Sequence, residues 1–354
     1  MRTTAPRLGI LYEHPQWFVP LFAELDRRRV PYDRIHAADL SFDPASRQAP
    51  YDLVVNRMSP SAYLRGHGQA IFASLAYLHW LEAVGVSVIN GAAAFALELS
   101  KTAQITLLAA LGLPHPRTQV VNTAAQAVRA ARALTFPVLV KPNIGGSGAG
   151  IQRFDRPDDL EAAARAGTVP LGIDGIALVQ EYHAPADDHI VRVEVLDGRF
   201  LYAIKVFPDP SAGFNLCPAD ICHAEGADAP AAPTAPTFDY CPVELPKRHL
   251  RVEGYRPPAQ VIDDVLRIAA AARLDLGGVE YLISRRDGRR YYYDINVLSN
   301  FVADAPRVVG FDPFPVLVDV IEQRLARAGR PRAPRPAADE AAPSVPVMQG
   351  RRTW

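Results

Sequence analysis

The sequence predicts an α/β fold that turns α+β in its C-terminal lobe. Through about the first 95 residues, short apolar runs alternate with stretches of helical spacing, the pattern of βαβ units feeding a parallel sheet. From Ile190 onward, apolar runs come in pairs joined by Asp197-Gly198 and Asp287-Gly288, which are hairpin signals and imply antiparallel strands. Between these regions a loop with four glycines directly follows one apolar run and precedes another.

Taken in order, Leu8 to Tyr12, Val30 to Ile35, Tyr51 to Asn56 and Val86 to Asn90 read as strands, with helices over Trp17 to Arg29 and Gln69 to Val84. Leu99 to Leu111 is a helical stretch that Ser100 can cap and that Gly112 and Pro114 end. Thr118 to Val121 is a strand, Thr123 to Leu134 an alanine-rich helix, and Phe136 to Lys141 a strand. Ile190 to Leu196 with Phe200 to Phe207, and Val279 to Ser284 with Arg290 to Asn296, form the two hairpins. Pro208 to Pro258 is rich in proline and alanine and is expected to be a long loop or partly disordered insertion. The tail after Ala328 is dense in proline, alanine and arginine and cannot build a core. The expected division is therefore 1–98, 99–183, 184–330 with an insertion at 208–258, and a disordered tail at 331–354.

Apolar residues make up 49% and charged residues 21% of 354, an ordinary globular mixture. Lysine plus arginine and aspartate plus glutamate both number 38, so no global field draws the chain to nucleic acid or to an anionic membrane. Residues 1–10 lack a continuous apolar core, and no later run approaches the ~20 apolar residues of a membrane span, so a cytoplasmic location is expected. Three cysteines cannot make a disulfide framework and fit a reducing compartment.

In Phe136-Pro-Val-Leu-Val-Lys-Pro-Asn-Ile-Gly-Gly-Ser-Gly-Ala-Gly150, the glycines let backbone N–H groups turn toward one point and form a cradle for phosphates. No Gly-Lys-Ser/Thr closes the loop, so it is not a P-loop. Lys141, at the end of the entering strand, can reach the same phosphates, and Lys101 is a second candidate. The plainer alternative is a surface turn flanked by solvated lysines. In the last hairpin, alternation puts Asp294 and Asn296 on one face, where Glu280 of the neighbouring strand can join them. Two carboxylates and an amide oxygen are hard ligands suited to magnesium. A solvated strand face beside Arg285 and Arg290 is the alternative there.

Together these segments resemble the ATP-grasp superfamily, especially its branch of RimK-like, ribosomal-protein-modifying glutamate ligases, over about Ser100 to Asn300. The first block is similar to the domain that commonly precedes that fold. The resemblance implies a small lobe at 99–183, a large lobe at 184–330, and ATP with Mg2+ or Mn2+ as cofactors. It implies that Lys101, Lys141 and the loop residues Gly145, Gly146, Ser147 and Gly148 hold phosphates. Gln180, Glu181 and Tyr182 would form the hinge, with the backbones of Glu181 and Tyr182 on adenine, and Asp187 or Asp188 would meet the ribose. Glu280, Asp294 and Asn296 would hold the metal, and Arg192, Lys205 and Asn215 the transferring phosphoryl group. Two departures from the branch are Ile190, where it has aspartate, and Gly213 and Phe214, where it often has arginine.

The implied activity is ADP-forming ligation of a small-molecule carboxylate to an amine through an acyl phosphate, with no nucleic-acid or membrane partner, and a homodimer is what the resemblance suggests. A kinase acting on a hydroxyl, or a nucleotide-binding regulatory protein without turnover, are the alternatives. Cys217, Cys222, His223 and Cys241 invite a zinc reading but lack a tight Cys-x2-Cys pair. His14, Trp17, Arg57, Tyr63 and His67 sit after strands of the parallel sheet, where ligands often bind, although packing is the simpler role. Tyr291 to Tyr293 reads as strand packing. Asp304, Arg307 and Asp312 are a candidate acceptor-binding segment or a polar connector.

Overall fold

The computed structural model describes residues 6–146, 148–208, 214 and 250–328. Strands β1 (Leu8–Tyr12), β2 (Asp33–His36), β3 (Leu53–Arg57) and β4 (Ser87–Ile89) form a parallel sheet in the order β2-β1-β3-β4. β1 and β3 are buried almost throughout because helix α1 (Val19–Arg27) covers one face and α2 (Gly68–Ala83) the other. β2 begins at Asp33 rather than Val30, because Val30 N–H closes α1 on the Leu25 carbonyl while Arg29 turns left-handed (φ 58°).

After α3 (Ala92–Glu98), helix α4 (Lys101–Ala110) starts where its spacing predicts, with Ser100 Oγ accepting from Ala103 N at 3.1 Å. The second sheet is antiparallel, in the order β5-β8-β6-β7. Its elements are β5 (Thr118–Val121), α5 (Ala124–Ala131), β6 (Val138–Pro142), β7 (Gln152–Phe154), α6 (Pro157–Ala166) and β8 (Ala177–Glu181).

The third sheet is antiparallel with order β11-β10-β9-β12-β13 and contains both predicted hairpins, β9 (Ile190–Leu196) with β10 (Arg199–Phe207) and β12 (Leu276–Ile283) with β13 (Arg290–Asn296). Its edge strand β11 (Arg251–Tyr255) corrects the expectation of loop throughout 208–258, since it pairs with β10 from Ala203 to Phe207. Arg-Val-Glu-Gly-Tyr is too polar to announce a strand, which suits an edge position. Residues 209–213, 215–249 and the tail from 329 lie outside the described residues.

Helix α7 (Ala259–Ala272) covers one face of this sheet; α8 (Ala305–Val309) and α9 (Pro313–Ala328) follow β13. The opposite face shares a core with the parallel sheet, in which Ile10, Phe18 and Leu53 of the first block pack in one cluster with Ile204, Leu276 and Leu317. Asn90, fully buried in the left-handed conformation (φ 55°), ties the two sheets: its Nδ2 donates to Leu276 O (2.6 Å) and Val297 O (2.9 Å), and its Oδ1 accepts from Asp275 N (2.9 Å). Gln104 of α4 exchanges two 3.0 Å hydrogen bonds with the backbone of Ile295, satisfying the outer edge of β13. Among the described residues no helix is long and apolar enough to cross a membrane.

Candidate functional site

A cavity of about 680 Å3 opens between the second and third sheets, roomy enough for a cofactor-sized ligand. The glycine-rich loop and the end of β8 line one side, the third sheet forms the floor, and Trp17 with Ser59 to Ser61 of the first block also line it, Pro60 and Ser61 packing against the loop.

Strand parity populates the floor. Arg192 and Glu194 of β9 alternate with valines that face α7, and the register places Glu280 directly opposite both Arg192 and Asp294. A bulge in the β12–β13 pairing lets Tyr293 and Asp294, adjacent in sequence, both line the cavity. Lys141 enters from β6 and Lys101 from the first turn of α4. Lys101 Nζ donates to Asp294 Oδ1 at 2.5 Å, Arg192 Nη1 to Glu280 Oε1 at 3.1 Å, Arg192 Nε to Glu194 Oε1 at 2.6 Å, and Asn296 Nδ2 to Glu280 Oε1 at 3.4 Å. Lys101, Lys141, Arg192, Glu280, Asp294 and Asn296, which come from five separate elements, thus meet on one surface.

Burial pushes the Glu280 carboxyl up to about 7, helped by Asp294 opposite it. Burial acts the same way on Asp294, but Lys101 and Lys141 outweigh it and hold this carboxyl below its ordinary value. Burial and the proximity of Lys101 bring the Lys141 ammonium down to about 8, with Asp294 and Glu280 pulling the other way. Two carboxylates and an amide oxygen on adjacent strands are a donor set that fits magnesium, which takes hard oxygen ligands and keeps positions for phosphate and water. The two lysines beside them fit polyphosphate.

The loop itself packs against the first block. A Cβ on Gly146 would lie 3.6 Å from Pro60 Cγ, and one on Gly150 (φ 71°) would strike Pro142 Cγ at 2.9 Å, so glycine is required at the latter position. Gly145, Gly146 and Gly148 line the cavity, as do Gln180, Glu181, Tyr182 and Asp188. The hinge backbone is more committed than expected: Glu181 N donates to Arg117 O and Tyr182 N to Pro137 O, both at 2.9 Å, whereas the amides of His183 and Ala184, which also line the cavity, have no main-chain partner among the described residues. The Glu181 carboxylate is also engaged, accepting from Thr135 N at 2.8 Å. Of the two ribose candidates, Asp188 lines this cavity and Asp187 does not.

Lys205 does not join the others. A regular two-residue hairpin would set it opposite Ile190, on Arg192's face, but a shift in pairing between Phe200 and Tyr202 sets it opposite Val191. It therefore points to the other face of the sheet, 5.0 Å from the Tyr255 ring centroid. Ser147, Asn215, Cys217, Cys222, His223 and Cys241 lie outside the described residues. Asp304, Arg307 and Asp312 form a connector away from the cavity, Arg307 donating to Asp304 and Asp312 capping the turn at Phe314 N.

Three cavity residues escape the sequence reading. Glu98, the last residue of α3 and three positions before Lys101, is buried, accepts from Val297 N, and is pushed up to about 7 by burial. A lone glutamate ending an alanine-rich helix was the available signal. Tyr293 reaches the cleft only because of the bulge, while Tyr292 packs under α7 and Tyr291 stacks on His183 at 4.2 Å. Arg285, which the sequence marks only as a neighbour of the acidic strands, donates to Asp188 at 2.5 Å.

No family model matches the chain. Solved structures do: the ATP-grasp ligase PsnB complexed with a minimal precursor aligns over 91% of this chain and 100% of its own, at TM-score 0.61 and 19% identity. The chain has the ATP-grasp fold. D-cycloserine synthetase DcsG aligns over 90% of this chain and 99% of its own at TM-score 0.63 and 20% identity, and a RimK domain protein of Sphaerobacter thermophilus over 88% and 98% at 0.61 and 18%. PsnB has also been solved with a precursor variant, Mg and ADP. Among curated proteins, the D-alanine–D-alanine ligase of Corynebacterium efficiens is 33% identical over 144 residues, 40% of this chain and 38% of that enzyme. The match thus spans well under half of the curated relative's length.

Proposed function

We propose that this protein is an ATP-dependent carboxylate–amine ligase that works through an acyl phosphate and forms an amide on an amino acid, peptide or related small molecule. The observation that carries the reading is the meeting of Lys101, Lys141 and Arg192 with Glu280, Asp294 and Asn296 on the cleft floor beside a glycine-lined loop. Binding of ATP between the lobes would set the adenine against the His183 amide and Tyr182, the ribose near Asp188, and the phosphates between the loop and the floor. Glu280, Asp294 and Asn296 would hold magnesium, which would supply charge neutralisation for the phosphates.

A substrate carboxylate oxygen then attacks the γ-phosphorus and ADP departs. An amine attacks the resulting acyl phosphate, phosphate leaves with the bonding pair, and the nitrogen loses a proton to give the amide. Lys141 and Arg192 are suited to stabilise the charge that develops on the phosphoryl oxygens. A screen of amino and hydroxy acids against amines, with ADP, phosphate and product mass all measured, tests the reading. Equal, acceptor-dependent release of ADP and phosphate is expected. ADP without free phosphate would indicate a kinase, and tight ATP binding with no turnover across the panel would indicate a regulatory protein.

A further inference from the structure

Beneath the cleft floor lies a carboxylate that the steps above leave unused. Glu194 of β9 is 1% exposed and is not among the residues that line the cavity, yet its Oε1 accepts from Arg192 Nε at 2.6 Å. That is closer than the 3.1 Å at which Arg192 Nη1 donates to Glu280 Oε1. The Arg192–Glu194 pair fills the space over Gly278, where a Cβ would stand 2.7 Å from both Arg192 Nε and Glu194 Oε1. Tyr202 of β10 is paired opposite Glu194. From the first block, Arg57 at the end of β3 attracts Glu194 electrostatically, while its Nη2 donates to the Ser299 carbonyl and, at 3.2 Å, to Asn300 Oδ1. Glu194 Oε2 and Arg57 Nε and Nη1 are all buried without a hydrogen-bond partner among the described residues. Charges of alternating sign thus run from Arg57 through Glu194 and Arg192 to Glu280.

Burying such a series is costly, and well-packed apolar side chains would stabilise the fold at least as well. Its use lies in where it keeps Arg192. The oxygen of Glu280 that accepts from Arg192 belongs to a carboxylate suited to magnesium, and a guanidinium resting on that oxygen competes with a metal for it. Glu194, nearer and charged, draws the guanidinium back along β9 and takes up part of its charge. We propose that Glu194 is a positioning residue that keeps Arg192 from neutralising Glu280, so that the same floor presents an anionic metal site and a cation for the phosphoryl oxygens. This rests on the ligase reading and assigns the residue that sets how strongly that site takes its metal.

The full chain is titrated with ADP by calorimetry, once in EDTA and once in saturating Mg2+, and the ratio of the two affinities measures the contribution of the metal. In the wild type Mg2+ should strengthen ADP binding. Glu194→Gln, which keeps the shape and removes the charge, should cut that strengthening by about tenfold and leave ADP affinity in EDTA within about threefold. Added to Arg192→Met, the same substitution should change the strengthening by less than about twofold, because its effect passes through Arg192. Gly278→Ala, whose methyl would displace the paired side chains while both charges remain, should repeat the loss and serves if the glutamine variant does not fold. A strengthening unchanged in Glu194→Gln, an equal loss of ADP with and without metal, or an effect undiminished in the absence of Arg192 would each overturn the proposal and leave the ligase reading standing. A wild type that binds ADP no better in Mg2+ than in EDTA would overturn the metal site of that reading, and this proposal with it.

Discussion

The two faces of the five-stranded sheet are built by the same strands and do opposite work. Toward α7, Val191, Val193, Val195, Val279 and Ile295 are buried in an apolar cluster that holds the lobe together. Toward the cleft, the alternate positions carry Arg192, Glu194, Glu280, Asp294 and Asn296, charges and polar groups whose burial opposes folding unless partners or ligands offset it. The α7 face only stabilises, whereas the opposite face divides between the core it shares with the parallel sheet and the polar cleft floor, and a single step along a strand separates the two faces. Substitutions on the two faces should therefore divide cleanly between activity and stability.

The largest effect is expected on the cleft side. Asp294→Asn keeps shape but removes the charge that faces Lys101 and would face the metal, and should lower ATP consumption by about 10²- to 10³-fold. A steady-state ADP assay reads this, and retention of more than about half the wild-type rate would refute the metal assignment. Its neighbour one residue on behaves in the opposite way. Ile295→Ala empties a site in the α7 cluster, where the side chain is 1% exposed, and should cost about 2–5 kcal/mol in urea denaturation while turnover of the folded fraction is retained. Loss of turnover without loss of stability would break the division between the faces.

The same parity argument explains what could be read from the sequence. Glu280, Asp294 and Asn296 were legible because period-two alternation needs only local order, and the Asp287-Gly288 turn sets which strands meet. The two cleft lysines, proposed to hold phosphate, were legible because one precedes a glycine-rich loop and the other opens a capped helix. Lys205 was misplaced, and Tyr293 missed, for one shared reason: each depends on an irregularity in strand pairing that reverses a side chain's face, and neither irregularity is marked by glycine or proline. Arg57 and Glu98 illustrate a different limit. Their roles arise where the parallel sheet and α3 meet the end of β13, across sequence separations of 242 and 199 positions, and no local pattern encodes that contact.

A smaller effect follows from Lys141, whose ammonium burial and Lys101 bring down to about 8. On the proposed role, the protonated form is the one that binds phosphate, so nucleotide affinity should be full below about pH 8 and fall as pH rises through that value, by up to about tenfold per unit. ADP titrations between pH 7 and 10 should show this decline, and Lys141→Met should bind more weakly and lose it. Persistence of the decline in Lys141→Met would assign it to another group, Lys101 being the first candidate.

The smallest effect sharpens the comparison most. Lys205 lies on β10, where a regular hairpin would make it a neighbour of Arg192, yet it faces Tyr255 and a small hollow on the α7 side. If parity governs, Lys205→Met should leave the rate and the apparent affinity for ATP within about twofold, since a surface substitution away from the site rarely does more. Arg192→Met, on the adjacent strand, strips Glu194 and Glu280 of a shared partner inside a buried network and should remove most of the activity. Two cations on paired strands, side by side in any sequence-based drawing of the hairpin, would then differ in consequence because one unpaired residue between Phe200 and Tyr202 turns β10 over.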